Sequence, residues 1–300
     1  MAYSLSDKLV VAVSSRALFD LEEENRIFEE QGLDAYYHYQ LERENEILQK
    51  GTGFRLIENL LKINEYFPDE EKQVEVVVLS RNNAALSLRI TNTIQHYGLD
   101  IVRSGWTGGE AISRYLKAFK VDLFLSANDV DVVAAIQGGM AAARILPAQI
   151  EVTRSLGDQV RIAFDGDAVL FDEHSELIYK KQGLEAFMVH ETKHTNHPLS
   201  EGPFAKLLMT ISRIQKKFSG ENTPIRTALV TARSAPSHER VIRTLDAWGV
   251  RIDEAFFLGG SEKYEVLEAF GADIFFDDQD IHLDKSTNVV PSAKVIQETL

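Results

Sequence analysis

The stretch Arg161-Ile162-Ala163-Phe164-Asp165-Gly166-Asp167-Ala168-Val169-Leu170 passes from an apolar run directly into two carboxylates separated by one glycine. The apolar half reads as a strand, and a strand is followed by a turn where Asp and Gly cluster. In an open parallel sheet, ligands bind beyond the carboxyl ends of the strands, which is where this pattern puts Asp165 and Asp167. Two carboxylates two residues apart can divide labour there, one attacking phosphorus and the other donating and accepting protons. Carboxylate oxygens are also the ligands that Mg²⁺ prefers. Outward from this stretch, further apolar runs recur at Leu9 to Val13, Glu75 to Leu79, Asp122 to Leu125, Thr227 to Val230 and Asp273 to Phe276. Amphipathic stretches lie between them, at Phe54 to Asn64, Ala84 to Tyr97, Lys206 to Phe218 and Ser237 to Trp248. Strands alternating with helices predict an α/β fold with parallel sheets covered on both faces.

Three elements follow Asp165 and Asp167 in order, each after its own apolar run. Leu229-Val230-Thr231-Ala232-Arg233-Ser234 sets a hydroxyl at a strand end, Gly259-Gly260-Ser261-Glu262-Lys263 sets a lysine at a turn into a helix, and Ile274-Phe275-Phe276-Asp277-Asp278 adds two carboxylates. Asp-x-Asp-x-Val, then Thr, Lys and Asp-Asp, resembles the four motifs of the haloacid dehalogenase superfamily. That resemblance implies Asp165 as nucleophile, Asp167 as general acid and base, and Thr231 and Lys263 on the phosphoryl oxygens, with Ala232 and Arg233 beside them. Arg233 reads equally as a phosphate contact or as a structural ion pair. The metal ligands implied are Asp165, Asp167 through its carbonyl, and Asp277 or Asp278, around Mg²⁺. The physics agrees with these roles: two anions must meet, so a cation has to screen them, and fixed donors must hold the charge on the transferring group.

A closer resemblance covers residues 8 to 283. Ala12 to Asp20, Thr107-Gly108-Gly109, Arg161 to Leu170, His190-Glu191 with His194, Gln215 to Phe218 and Val230 to Ser234 look like the cytosolic 5′-nucleotidase type I family. It implies hydrolysis of AMP and related nucleoside 5′-monophosphates, with Mg²⁺, through an aspartyl-phosphate. The alternatives left open are a phosphatase for another phosphomonoester and a nucleotide-sensing regulatory protein. Lys285 to Leu300 has no counterpart in the resemblance and reads as a tail.

The chain also resembles itself. Displaced by 151 positions, Gln31-Gly32-Leu33 falls on Gln182-Gly183-Leu184 and Gly51 on Gly202. Gly98, Ile101, Gly108, Gly109, Leu116, Ala118, Phe119, Asp122, Phe124 and Asp129 meet the same residue types from Gly249 to Asp280. This predicts two tandem haloacid-dehalogenase-like Rossmannoid units. Residues 1–150 form a degenerate unit, and 151–300 a catalytic unit with a small cap insertion around 178–205. In the first copy Ser14 stands for Asp165, Arg16 for Asp167, Ser80 for Thr231, Ile112 for Lys263, Ser126 for Asp277 and Ala127 for Asp278. Such a copy should hold no Mg²⁺ and form no phosphoenzyme. It is either a scaffold or, through Ser14, Ser15, Arg16, Arg81 and Asn82, an anion pocket in which a guanidinium replaces a carboxylate.

Composition narrows the rest. A net charge of -14 argues against general nucleic-acid or anionic-membrane binding, since nothing offsets phosphate repulsion over the surface. A chain without cysteine has no disulfide, thiolate zinc site or Cys nucleophile. A polar N-terminus and no long apolar run predict a cytoplasmic protein. The resemblance implies a nucleoside monophosphate as its partner, with room for a homo-oligomer. His190-Glu191-Thr192-Lys193-His194 matches the zinc-protease pattern His-Glu-x-x-His, but it lies where a cap is expected and lacks an identifiable third ligand. It reads instead as a polar loop, or as a cap in which His194 or Asn196 contacts base or ribose. Trp106 and Trp248 read as packing residues.

Overall fold

A computed structural model of the chain describes residues 3–68, 71–148, 159–218 and 223–296. It separates into two compact units, Met1–Met140 and Ala141–Leu300. The boundary expected at residue 150 falls outside the described residues.

The first unit holds strands β1 (Leu9–Val13), β2 (Val74–Ser80), β3 (Arg103–Trp106) and β4 (Leu123–Ser126). Its helices are α1 (Ser15–Leu18), α2 (Glu22–Glu42), α3 (Phe54–Lys62), α4 (Ser87–His96), α5 (Ser113–Leu116) and α6 (Asp129–Gln137). The strands run parallel in the order β3-β2-β1-β4. Every residue of β1, β2 and β4 is buried. That is why these strands read as continuous apolar runs: helices cover both faces of a parallel sheet.

The second unit holds β5 (Ala141–Ile145), β6 (Val160–Phe164), β7 (Ile225–Thr231), β8 (Glu254–Phe257), β9 (Ile274–Asp277) and β10 (Ser292–Lys294). Its helices are α7 (His174–Lys193), α8 (Ala205–Gln215), α9 (His238–Ala247), α10 (Tyr264–Phe270) and α11 (Asp280–Ser286). Strand order is β5-β10-β9-β6-β7-β8. All pairs are parallel except β5 with β10, so the sheet is largely rather than wholly parallel. Part of the stretch expected to be a tail thus forms β10, which adds to β9 in register Ser292↔Phe275. Beneath the sheet, Ala163, Val230, Phe270, Phe275, Leu283 and Val290 form one buried apolar cluster.

The same local devices recur in each unit. The Asp122 carboxylate accepts from the Val10 N–H at 2.9 Å, and that of Asp273 from the Arg161 N–H at 2.8 Å. The hydroxyl of Thr93 accepts from the Leu48 N–H, and that of Thr244 from the Leu199 N–H. Both long helices bend at a glycine whose backbone is closed to other residues: Gly32 in α2 (φ 86°, ψ -177°) and Gly183 in α7 (φ 83°, ψ -179°).

Candidate active site

Three neighbouring strands deliver the site. The register Phe164↔Phe276 between β6 and β9, and Phe164↔Leu229 between β6 and β7, sets Asp165, Asp277 and Thr231 at adjacent carboxyl ends. The Asp165 N–H donates to the Phe276 carbonyl at 2.8 Å, fixing the first turn beyond β6. Asp165, Asp277 and Asp278 bring one carboxylate oxygen each within 4.8 Å of one another. The buried Lys263 ammonium, one residue before α10, spans Asp165 (2.8 Å) and Asp277 (2.7 Å). Gly166 passes so near Thr231 that a Cβ on it would lie 3.2 Å from the threonine hydroxyl.

One lysine cannot balance two buried carboxylates and a half-buried third. Burial pushes Asp165 up to about 6 against the pull of Lys263. Burial, followed by the charges of Asp165, Asp277 and Glu176, pushes Asp278 up to about 8. Burial also raises Asp277, again against Lys263. The Oδ1 of Asp278 is buried and has no hydrogen-bond partner. An uncompensated negative cluster with an orphaned oxygen is what a divalent cation would complete.

Asp167, at the turn after Asp165, lies apart from that cluster. Its carboxylate is gripped by Arg233, from Nη2 at 2.6 Å and Nε at 2.8 Å. Arg233 is therefore an ion-pair partner here, and its Nη1 donates to Glu191 as well. Glu191 is fully buried and also accepts from Arg240 (2.9 Å) and Ser175 (2.9 Å). Burial alone would raise Glu191, but Arg233, Ser175 and Arg240 together hold it below the usual carboxylate range. Arg233 is likewise raised: burial lowers it, and Asp167 and Glu191 more than offset that. Ala232, between Thr231 and Arg233, is exposed.

The glutamate of the His-Glu-x-x-His pattern is thus an anchor for two arginines. His190 Nδ1 contacts Glu191 at 3.1 Å, and His194 Nδ1 bonds the His190 carbonyl at 2.8 Å at the end of α7. Among the described residues, the group able to hold a metal is Asp165, Asp277 and Asp278, with no histidine in it. Asn196 is exposed in the turn beyond α7. The long helix α7 reaches the site at two points, Glu176 accepting from Gln279 at 3.0 Å and Glu191 from Arg233. Between them Tyr179 and Phe187 meet edge to face at 6.2 Å, with the Arg233 guanidinium 5.3 Å from the Phe187 ring. Arg240, Tyr179 and Phe187 escaped the sequence reading, which noted Glu191 only within the family resemblance and the zinc-protease pattern. The available signal was the internal displacement, which sets Phe28 and Tyr36 against Tyr179 and Phe187, and Arg89 against Arg240. In the first unit, the Ser14 and Arg16 positions line a separate cavity with Ser80, Ser126 and Arg81.

The profile of the 5′-nucleotidase family matches residues 1–299. The chain belongs to the 5′-nucleotidase family. It is 40% identical over 285 residues to human (Homo sapiens) cytosolic 5′-nucleotidase 1B, covering 92% of this chain and 47% of that protein. This family member therefore spans about half the length of the curated relative it matches. Among solved structures, a chain of a Pnkp1/Rnl/Hen1 complex aligns at a TM-score of 0.33 with 11% identity, covering 100% of this chain and 99% of that one. Histidinol dehydrogenase from Elizabethkingia anophelis aligns at 0.22 with 8% identity, covering 79% and 48%. Neither likeness is close enough to bear on the fold. No helix of this 5′-nucleotidase family member, among the described residues, is long and apolar enough to cross a membrane.

Proposed function

We propose that the chain is a cytoplasmic Mg²⁺-dependent 5′-nucleotidase that hydrolyses AMP-like nucleoside 5′-monophosphates through an aspartyl-phosphate on Asp165. The observation that carries this is the Asp165–Lys263–Asp277 bridge beside Asp278, at the ends of adjacent parallel strands. The family match supports it. In this reading Asp165 attacks phosphorus in line as the bond to the ribose 5′-oxygen breaks, and Asp167 protonates that oxygen. Asp167 then takes a proton from water, which hydrolyses the aspartyl-phosphate and frees Asp165. Thr231 and Lys263 hold phosphoryl oxygens as charge builds on them. Asp165, Asp277 and Asp278, with the Asp167 carbonyl, would hold the Mg²⁺, which lets two anions approach. Glu191 is a positioning residue, because it fixes the Arg233 fork that fixes Asp167. The Tyr179–Phe187 pair on α7, Tyr179 being 50% exposed, offers the flat apolar surface that a base requires.

The two units are, in this reading, tandem copies of one haloacid-dehalogenase-like fold, 1–150 and 151–300, with chemistry in the second and α7 within its cap. Support comes from matched strand orders, β3-β2-β1-β4 against β8-β7-β6-β9, and from the matched glycines, Asp caps and Thr caps.

The experiment is phosphate release from a panel of nucleoside monophosphates and other phosphomonoesters, for the parent chain and Asp165→Asn. The parent releases phosphate fastest from a nucleoside 5′-monophosphate and only with Mg²⁺, while Asp165→Asn loses at least about a thousandfold. Substantial turnover by Asp165→Asn would end the covalent reading, and a faster non-nucleotide ester would move the substrate class.

A further inference from the structure

The first unit contains a cavity of about 500 Å³ that the reaction above does not use. That volume lies within the range of small-molecule sites, roughly 300–1,000 Å³. Its floor is the set of carboxyl ends of β1, β2 and β4, where Ser14, Ser15, Ser80 and Ser126 present buried hydroxyls. These hydroxyls are already used as acceptors. Ser14 accepts from the Ala17 N–H, Ser80 from the Asn82 N–H and Ser126 from the Asn128 N–H. Ser15 and Ser80 share one proton at 3.1 Å. Among the described residues the remaining hydroxyl protons have no protein acceptor, so the floor is able to donate to an anion.

Two guanidiniums border this floor. Arg81 is bound through Nε and Nη2 by Asp131, and Arg16 through Nε and Nη2 by Glu22, which leaves the Nη1 edge of each. The acids nearby are committed to these pairs, and Glu24 is committed to Arg89. Among the described residues no carboxylate stands on the floor to hold a metal or to attack phosphorus: the positions are Ser14, Ser126 and Ala127.

The wall is of opposite character. Phe28 is 48% exposed and meets Tyr36 edge to face at 5.9 Å, with the exposed Leu33 and the buried Leu86 and Ile112 around them. Asn82 spends its Oδ1 on the Tyr36 hydroxyl, while its buried Nδ2 has no partner. An orphaned buried amide donor beside an aromatic wall calls for a ring that carries acceptors.

Anion donors at one end, a flat apolar wall at the other and an unspent amide between them describe one ligand chemistry. We propose that this cavity is a second binding site, for a nucleoside phosphate held without metal and not hydrolysed. It differs from the catalytic site in recognising the phosphate by hydroxyls and guanidiniums alone, and it stands whether or not the second unit proves to be a nucleotidase.

The test uses the full chain carrying Asp165→Asn, in chelator, with AMP titrated by calorimetry. AMP binds saturably, and adenosine or inorganic phosphate alone binds at least about tenfold more weakly, since each fills one end. Adding Ser126→Asp, which puts a charge on the floor, or Phe28→Ala, which removes the wall, weakens AMP at least about tenfold. Phe28 is half exposed, so that variant keeps the test valid if Ser126→Asp fails to fold. In the otherwise unaltered enzyme with Mg²⁺, Phe28→Ala leaves the Asp165-dependent chemical step, read by single-turnover kinetics, unchanged. No AMP binding in chelator, or affinity indifferent to Phe28→Ala, overturns the site; phosphate binding as tightly as AMP overturns its nucleoside part.

Discussion

Asp278 is the residue at which charge and fold oppose each other most openly. Its folded value of about 8 lies well above the roughly 3.9 of an unfolded aspartate, and Asp165 at about 6 is displaced in the same sense. The folded chain therefore binds more protons than the unfolded chain between these values. Stability is full at low pH and is lost as pH rises through the folded values. In chelator, the melting temperature should fall between about pH 5 and pH 8, and Mg²⁺ should restore it by supplying the missing positive charge. Asp278→Asn should flatten that fall and raise the metal-free melting temperature at pH 8, while abolishing the rise caused by Mg²⁺. A chelated protein equally stable across this range would show that the acids are compensated in some other way.

Glu191 poses the converse case, a buried anion satisfied by two cations. Glu191→Gln keeps the shape but leaves Arg233 and Arg240 without their shared counter-charge, both being buried. Breaking such a pair from one side costs about 3–5 kcal/mol, which denaturant unfolding can measure. Because Arg233 also grips Asp167, kcat should fall and its pH profile should change, with KM little moved. A purely structural glutamate would lower stability and leave the profile alone.

At the scale of elements, the loop that crosses the turn after β6 depends on one glycine. A Cβ on Gly202 would lie 2.4 Å from the Phe171 carbonyl oxygen and 2.6 Å from that of Val169. Backbone atoms held in the turn after β6 cannot yield, so Gly202→Ala should cost more than the usual 1–3 kcal/mol of overpacking, or about that at least. Gly183→Ala meets nothing within 4 Å and suffers only its unusual backbone, about 1–3 kcal/mol. Thermal melts should rank Gly202→Ala as the more damaging; the reverse order would mean that the α7 bend, not the crossing, holds the site.

The same elements explain what was legible in the sequence. Strands buried on both faces announce themselves as apolar runs: Leu9–Val13 matches the expected bounds, and the β2, β4, β6, β7 and β9 runs match within about two residues. The edge strands Arg103–Trp106 and Glu254–Phe257 are short and half exposed, with Arg, Ser and Glu among them, so they leave no such run. Helices α2 and α7 were hidden because each is interrupted by a non-helical glycine and bears charges around its circumference. The acids of the site were readable because each ends a strand. Glu191 was not, since its partners Arg233 and Arg240 lie 42 and 49 residues away, and its surroundings spell a zinc motif instead.

At the scale of the molecule, the two units should answer a divalent cation differently. The second gathers Asp165, Asp277 and Asp278 at the ends of β6 and β9, whereas the first has Ser14, Ser126 and Ala127 at the ends of β1 and β4. Ligand binding to the folded state lowers the population of local openings around the site it occupies. Hydrogen exchange followed by mass spectrometry should therefore slow on adding Mg²⁺ in peptides spanning Val160–Leu170, Ile225–Thr231 and Ile274–Gln279. Peptides spanning Leu9–Leu18, Val74–Ser80 and Leu123–Ser126 should exchange as before. AMP added in chelator should give the complementary pattern, protecting the Leu9–Leu18 and Val74–Ser80 peptides through the cavity of the first unit. If Mg²⁺ protected the first unit as strongly as the second, the acidic cluster could not be the principal metal site, and the division of chemistry between the units would have to be redrawn.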